Sequence, residues 1–245
     1  MYKNVKLITF DAMNTLFTTK LPPGMSYYHA AKKMYPHLKE ETEEISLCVT
    51  NNFKEVYKIY YGEYTLNGQS KETCKTFWEG VIGKTLYKSG VDLTEIEMKN
   101  VTDQLYGEYS TSKYWKPFNE THKVLDKLHA KGMRLGIVSN FDERLENVLK
   151  SLDLMKYMEF VIFPPVTKGL GKPNPRVFQQ LLKEYANCQP EEIVHIGDDK
   201  ENDFIAAKKA GIKPLLLDKF NTQSDPNYIT MTSLNDIFKF VEFDF

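Results

Sequence analysis

Apolar positions follow two different rhythms along this chain. Near the start, Val5 to Phe10 forms a short apolar run carrying Leu7, Ile8 and Phe10; it is too brief for a helix and stops at Asp11. Comparable runs return late in the chain: Arg134 to Val138 before Ser139, Phe160 to Phe163, Ile193 to Ile196 before Gly197 and Asp198, and Pro214 to Leu217 before Asp218. Between them apolar residues recur at helical spacing, as in Thr121, Val124, Leu125 and Leu128, in Leu145, Val148 and Leu149, and in Val177, Phe178, Leu181 and Leu182. Short apolar runs predict strands buried on both faces. Their alternation with amphipathic helices predicts an α/β fold, a parallel sheet with helices on both faces. Local chemistry agrees at two boundaries, where Asn174 and Pro175 predict a helix start and Gly211 a stop after the segment Phe204 to Ala210.

A second texture fills residues 18–112. No short strand run occurs there; Ile45, Val49, Phe53, Val56 and Tyr60, then Phe77, Val81 and Ile82, then Val101, Leu105 and Tyr109 repeat at helical intervals. The pattern predicts an all-helical insert, with Pro22-Pro23-Gly24 and Trp115-Lys116-Pro117 as hinges at its two ends. Tyrosines concentrate in it, among them Tyr57, Tyr60, Tyr61 and Tyr64. Tyr57, Tyr60 and Tyr64 read as one amphipathic helix face whose hydroxyls reach water, in preference to an aromatic ligand pocket. Trp78 and Trp115 read as packing residues, and His195, in the middle of a strand run, as core.

Composition narrows the function classes. With 245 residues, 42 % hydrophobic and 27 % charged, the chain is an ordinary globular protein, neither disordered nor fibrous. Its 32 Lys and Arg against 33 Asp and Glu leave a formal charge of −1, which argues against a nucleic-acid partner bound by general electrostatics. No run approaches the roughly 18 apolar residues of a membrane span, and the start lacks the apolar stretch of a signal peptide, so a cytoplasmic protein without a membrane partner is expected. Cys48, Cys74 and Cys188 are odd in number and widely spaced, which suggests neither a disulfide framework nor a zinc site.

In an open parallel sheet, ligands gather at the carboxyl ends of the strands. Those ends carry Asp11 followed by Asn14 and Thr15, then Ser139-Asn140, then Gly197-Asp198-Asp199 with Asp203 just beyond; the loop Gly169 to Pro175 adds Lys172. A carboxylate nucleophile, a hydroxyl beside a backbone N–H, a lysine and a second acidic cluster suit phosphoryl transfer, in which positioning and charge neutralisation do most of the work. Singly, each piece also fits a bland role: Ser-Asn is a common turn, and an Asp at the start of a helix is a common cap. Their order and their shared placement at strand ends make a joint accident improbable.

With these four motifs in this order, Asp11-Ala-Met-Asn-Thr-Leu16, Ser139-Asn140, Lys172-Pro173 and Gly197-Asp-Asp-Lys-Glu-Asn-Asp203, the chain resembles the haloacid dehalogenase-like (HAD) hydrolase superfamily. It is most similar to the branch with a helical cap inserted after the first strand. The segments Ser139 to Leu145 and Gly171 to Phe178 carry a finer similarity to one subgroup. The resemblance implies a Rossmann-like α/β core formed by residues 1–17 and 113–245, with residues 18–112 as the cap. It also implies an Mg²⁺-dependent phosphatase that acts on a small phosphorylated molecule held between core and cap. Asp11 would be the nucleophile that forms an aspartyl-phosphate, and Lys172 the residue that offsets its crowding by other anions. Thr15, Ser139 and the Asn140 backbone N–H would hold phosphate oxygens. Mg²⁺ would be held by Asp11, the backbone carbonyl of Met13 and Asp198, with Asp203 behind them orienting water. Asp199 is compatible with the metal site and with a helix cap alike.

One position departs from the family pattern. Phosphatases of this kind carry a second Asp two residues after the nucleophile, as general acid and base; here that residue is Met13. A thioether has no proton to give, and losing such a group typically costs about 10²- to 10⁴-fold. Low or specialised activity is therefore expected, with a non-catalytic protein that binds a small molecule or partner as the alternative. Haloacid dehalogenases also lack the second Asp and use no metal. That reading is less favoured, because Arg134, Arg144 and Arg176 are the only arginines, none within 18–112, and the fourth motif keeps three aspartates.

Overall fold

The computed structural model describes residues 1–63, 71–167, 170–219 and 226–242. Tyr64 and Gly169, named above, lie outside them. The described chain divides into two compact units: Met1–Thr18 with Pro117–Phe245, and Thr19–Lys116.

In the first unit, five of the predicted apolar runs form strands: Leu7–Phe10 (β1), Arg134–Val138, Phe160–Ile162, Ile193–Gly197 and Lys213–Leu217. Counting also the two linker strands Phe17–Thr19 (β2) and Trp115–Pro117 (β3), these become β4, β5, β6 and β7, and the two-residue Thr230–Met231 is β8. The main sheet has the order β5-β4-β1-β6-β7-β8, and every neighbouring pair in it is parallel. Helices surround it: Thr121–Ala130, Leu145–Ser151, Arg176–Leu181, Ala206–Lys209 and Ile237–Phe240. The fold is the expected α/β, Rossmann-like one.

The sheet is held by apolar burial. Leu7, Val138, Ile162 and Ile193 from four strands pack with Val177, Phe178 and Leu181 from helix Arg176–Leu181 in one cluster. Burying each such side chain fully contributes about 1.5–3 kcal/mol against exposure. The strand ends are set by register. Phe10 lies opposite Ile137 on one side and Ile196 on the other, so Asp11 comes level with Val138 and Gly197, with Ser139 and Asp198 one residue beyond. Gly211, with φ of +80°, closes the turn after helix Ala206–Lys209 in a conformation that disfavours side chains.

The described residues of the second unit form four helices, Pro23–Met34, Glu43–Glu63, Lys71–Lys88 and Glu95–Glu108. Thr94 starts the last of them with a reciprocal cap: its hydroxyl accepts from Glu97 N at 3.3 Å while the Glu97 carboxylate accepts from Thr94 N at 2.8 Å. Tyr57 stacks on Phe53 at 5.7 Å, on Tyr61 at 5.5 Å and on Trp78 at 5.9 Å, so Tyr57 and Trp78 are packing residues. Trp115 is buried, and its indole N–H donates to the Tyr109 carbonyl at 2.8 Å. β2 and β3, which sequence periodicity did not predict, pair with each other where the chain passes between the units.

Candidate active site

Asp11 leaves β1 at the carboxyl edge of the sheet, its backbone N–H donating to the Ile196 carbonyl at 2.8 Å. Its Oδ1 accepts from Lys172 Nζ at 2.7 Å, and the same ammonium donates to Asp203 Oδ1 at 2.5 Å. All three side chains are buried. Lys172 thus bridges two carboxylates from opposite ends of the sequence. Burial alone would lower its pKa, but Asp11 and Asp203 together hold it above its ordinary value. Asp11 is raised, chiefly by burial and also by Asp203, against the lowering effects of Lys172 and Ser139.

The acidic motif is built around Asp203. It sits in a π-helical turn, Lys200–Ile205, whose N-cap is Asp199. Asp199 Oδ1 accepts from Glu201 N at 2.9 Å and from Asn202 N at 2.8 Å, so of its two readings the structure shows the cap. Asp203 Oδ2 accepts from Asp199 N at 3.0 Å, and its Oδ1 lies 3.2 Å from His195 Nε2 as well as against Lys172. Burial would raise Asp203, yet the Lys172 charge and the His195 hydrogen bond hold it well below the usual carboxylate range. Gly197 is required by this packing: a Cβ there would stand 2.1 Å from the Asp203 carboxyl carbon. Asp198 is pushed the other way, up to about 7, by burial and by the charges of Asp11 and Asp203.

Asp11, Asp198 and Asp203 each offer a carboxylate oxygen within 4.8 Å of the others. The set is all oxygen, which suits a hard divalent cation such as Mg²⁺. Both Asp203 oxygens already accept hydrogen bonds, whereas Asp11 and Asp198 are the two carboxyls held above their ordinary pKa, whose ionised forms a cation would stabilise.

The remaining residues predicted for the site lie on the same edge. Ser139 is buried, its N–H bound to the Ile162 carbonyl at 2.9 Å and its hydroxyl accepting from Phe141 N at 3.3 Å. The Asn140 side chain clasps the backbone of Lys172: Nδ2 donates to the Lys172 carbonyl and Oδ1 accepts from Lys172 N, both at 2.7 Å. Gly171 makes room for that clasp, since a Cβ there would meet Asn140 Oδ1 at 2.8 Å. Thr15 is buried, and its hydroxyl donates to Asp198 Oδ1 at 3.4 Å. Met13 bridges to Phe17 and is 39 % exposed, a thioether open to solvent two residues from Asp11.

Two residues in this network were missed by sequence reasoning. His195 is fully buried, as expected of core, but it is tied to Asp203. Lys219, just past β7, donates to the Thr15 carbonyl at 3.3 Å, lies 3.8 Å from Glu120 and is lowered to about 8, by burial above all, in spite of Glu120 and Asp198. Neither had a local signal: one lies in an apolar run, and the other is 204 positions from its partner.

Comparison with known proteins places this geometry. The family model for haloacid dehalogenase-like hydrolases matches residues 8–217. The haloacid dehalogenase-like hydrolase domain-containing protein 3 of Xenopus laevis is 30 % identical over 214 residues, 87 % of this chain and 84 % of that protein. The rhythmically expressed gene 2 protein of Drosophila melanogaster is 29 % identical over 215 residues, 84 % of this chain and 80 % of that one. These two belong to the subgroup whose signature the segments 139–145 and 171–178 resemble. Among solved structures, Bacillus subtilis YfnB bound to magnesium superposes with a TM-score of 0.70 at 12 % identity, covering 96 % of this chain and 98 % of that one. The L-2-haloacid dehalogenase of Xanthobacter autotrophicus with chloropropionic acid covalently bound gives 0.64 at 15 % identity, covering 95 % and 96 %. Both likenesses are of fold. By its motifs, its family match and its relatives, this chain belongs to the haloacid dehalogenase-like hydrolase family.

Proposed function

We propose that the protein is a Mg²⁺-dependent phosphatase-like hydrolase of small phosphorylated molecules, acting through an aspartyl-phosphate on Asp11, with low or specialised activity. The observation that carries this reading is Lys172 Nζ, 2.7 Å from Asp11 Oδ1, beside an acidic trio whose oxygens lie within 4.8 Å. Asp11 attacks phosphorus through the carboxylate oxygen that is not bound to Lys172, forming an O–P bond as the ester oxygen departs with its electron pair. Lys172 keeps Asp11 ionised against burial and the approaching anion. Ser139 and the backbone N–H of Asn140 receive phosphate oxygens, and Thr15 acts through Asp198. Asp11, Asp198 and the Met13 carbonyl would hold Mg²⁺, with Asp203 behind them; the ion would supply charge neutralisation for the transferring group.

Met13 cannot protonate the departing oxygen. Aryl and acyl phosphates, whose leaving groups are stable as anions, suit the site better than alkyl phosphates. The test is phosphate release from an aryl phosphate with and without Mg²⁺. Turnover is expected to require the ion and to vanish in Asp11→Asn, while Met13→Asp raises it by about 10²-fold, the lower end of a general acid's usual contribution. Absence of turnover above the Asp11→Asn background overturns the reading.

The exposed thioether at position 13 favours one second reading, a protein that binds its ligand without turning it over. Such a protein retains its ligand after Asp11→Asn. Dehalogenation is disfavoured by the arginines: Arg134 binds Glu159 and the Tyr185 carbonyl, both at 2.9 Å, and Arg144 is paired with Asp142.

A further inference from the structure

The buried hydrogen bonds around Asp203 continue one step further than the site's family motifs, into the middle of the sheet. His195 on β6 has no exposed surface. Its Nδ1 lies 2.9 Å from the hydroxyl of Thr9 on β1, and its Nε2 lies 3.2 Å from Asp203 Oδ1. The ring is held edge-on to Phe178, with centroids 4.9 Å apart and planes at 73°. Thr9, too, is fully buried. A chain of contacts therefore runs Thr9, His195, Asp203, Lys172, Asp11, starting and ending on the same strand and its tip.

The direction of the protons along this chain is fixed by elementary accounting. Thr9 has a single hydroxyl proton and two acceptors in reach, His195 Nδ1 at 2.9 Å and the Val194 carbonyl at 3.4 Å. If it went to Val194, Nδ1 would carry the ring proton and the bare Nε2 lone pair would face an ionised carboxylate. Protonating both nitrogens would bury an imidazolium close to Lys172; burial above all, with that lysine, holds the His195 pKa below its ordinary value in spite of the raising effect of Asp203. With the Thr9 proton on the shorter contact, every donor meets an acceptor. Nδ1 accepts from Thr9, and Nε2–H donates to Asp203.

We infer that His195 is a positioning residue of this site: its Nε2–H anchors Asp203 Oδ1, Asp203 thereby fixes the Lys172 ammonium against Asp11, and the Thr9 hydroxyl selects the tautomer that makes this possible. The catalytic part of the inference rests on the hydrolase reading above; the geometric part does not. Removing the His195 hydrogen bond leaves Oδ1 with Lys172 as its only donor, so the ammonium is drawn toward Asp203 and away from Asp11. The effect falls on chemistry more than on binding, because neither His195 nor Thr9 lies where substrate would bind.

The test uses the full chain and the variants His195→Gln, His195→Phe and Thr9→Val, each checked for folding by thermal melting. ¹⁵N-correlated NMR of the imidazole is expected to show Nε2–H with Nδ1 bare. The Lys172 ammonium protons, protected in the parent, should exchange about tenfold faster in His195→Phe and near the parent rate in His195→Gln, whose amide can still donate. On an aryl phosphate with Mg²⁺, His195→Phe should lower kcat by about 10-fold, the low end of the range usual for groups that orient a site from behind, since Asp203 and Lys172 stand between His195 and Asp11, with KM within about threefold. His195→Gln should recover most of that loss, and Thr9→Val should lose a smaller share. An Nδ1–H tautomer in the parent overturns the inference, as does unchanged Lys172 exchange in a folded His195→Phe or an equal loss in His195→Gln. If His195→Phe does not fold, the tautomer and the other two variants decide. A parent without Asp11-dependent turnover defeats the hydrolase reading instead, and the tautomer and ammonium exchange still decide the positioning chain.

Discussion

The two units of this chain treat charge in opposite ways. In the α/β unit, Asp11, Asp142, Arg144, Lys172, His195, Asp203 and Asp218 are buried. In the helical unit, Thr19–Lys116, the buried polar side chains among the described residues are Ser26, Thr85 and Thr102, and none of these is an acid or a base. Its ion pairs, such as Lys75 with Asp103, Lys88 with Glu55 and Lys32 with Glu40, lie at the surface, and its interior combines aliphatic side chains such as Val49, Val81 and Leu105 with aromatic rings. Desolvating an ion is expensive unless a partner and hydrogen bonds compensate it. A unit that buries several charges in one connected network is therefore the place to look for chemistry, and a unit that buries none is built for packing.

The comparison is most exposed to Lys172→Met. That change leaves Asp11 and Asp203 without their shared cation, and breaking a buried pair in this way costs about 3–5 kcal/mol. Chemical denaturation of the folded variant measures it; a loss below about 1 kcal/mol would mean that burial in the two units is not so different after all. Asp198 supplies a pH test. Its carboxyl rises from an ordinary 3.8 to about 7, so its protonated form stabilises the fold fully below the lower value, and that contribution is lost as pH climbs through the upper one. Without divalent ions, stability should fall by about 2–3 kcal/mol between those values, after allowing for solvent reaching the group. Asp198→Asn should flatten that decline in a melting series, and Mg²⁺ should reverse it. The smallest effect belongs to the helical unit. Lys88→Met removes an exposed partner of Glu55 and should change stability by less than about 0.5 kcal/mol in the same denaturation assay.

Much of the α/β unit was legible in the sequence because its inner strands are covered on both sides. Leu7–Phe10 and Ile193–Gly197 read as apolar runs for that reason, and the polar residues just past each run mark the sheet's carboxyl edge. Asp11, Ser139 and Asp198 were found that way, and Lys172 in a loop at the same edge. β2, β3 and β8 were not, since, unlike the equally short but wholly apolar β5, they carry polar residues and form no apolar run. The role of Asp199 needed the path of the backbone after β6, which decides whether its oxygens meet N–H groups. His195 and Lys219 needed contacts between distant positions, and a polar residue in an apolar run reads the same whether it is merely buried or bound to a carboxylate.

The clasp between Asn140 and Lys172 gives the site a dependence on time. One amide makes both a donor and an acceptor contact to the backbone of the loop that carries the lysine, each 2.7 Å long. Spontaneous deamidation exchanges that nitrogen for oxygen and adds about one dalton. The acceptor contact would survive, and the donor contact would become an anion facing a carbonyl. Hydrolysis of that one side-chain amide would loosen the loop that carries Lys172, a change that mass spectrometry of aged samples can detect.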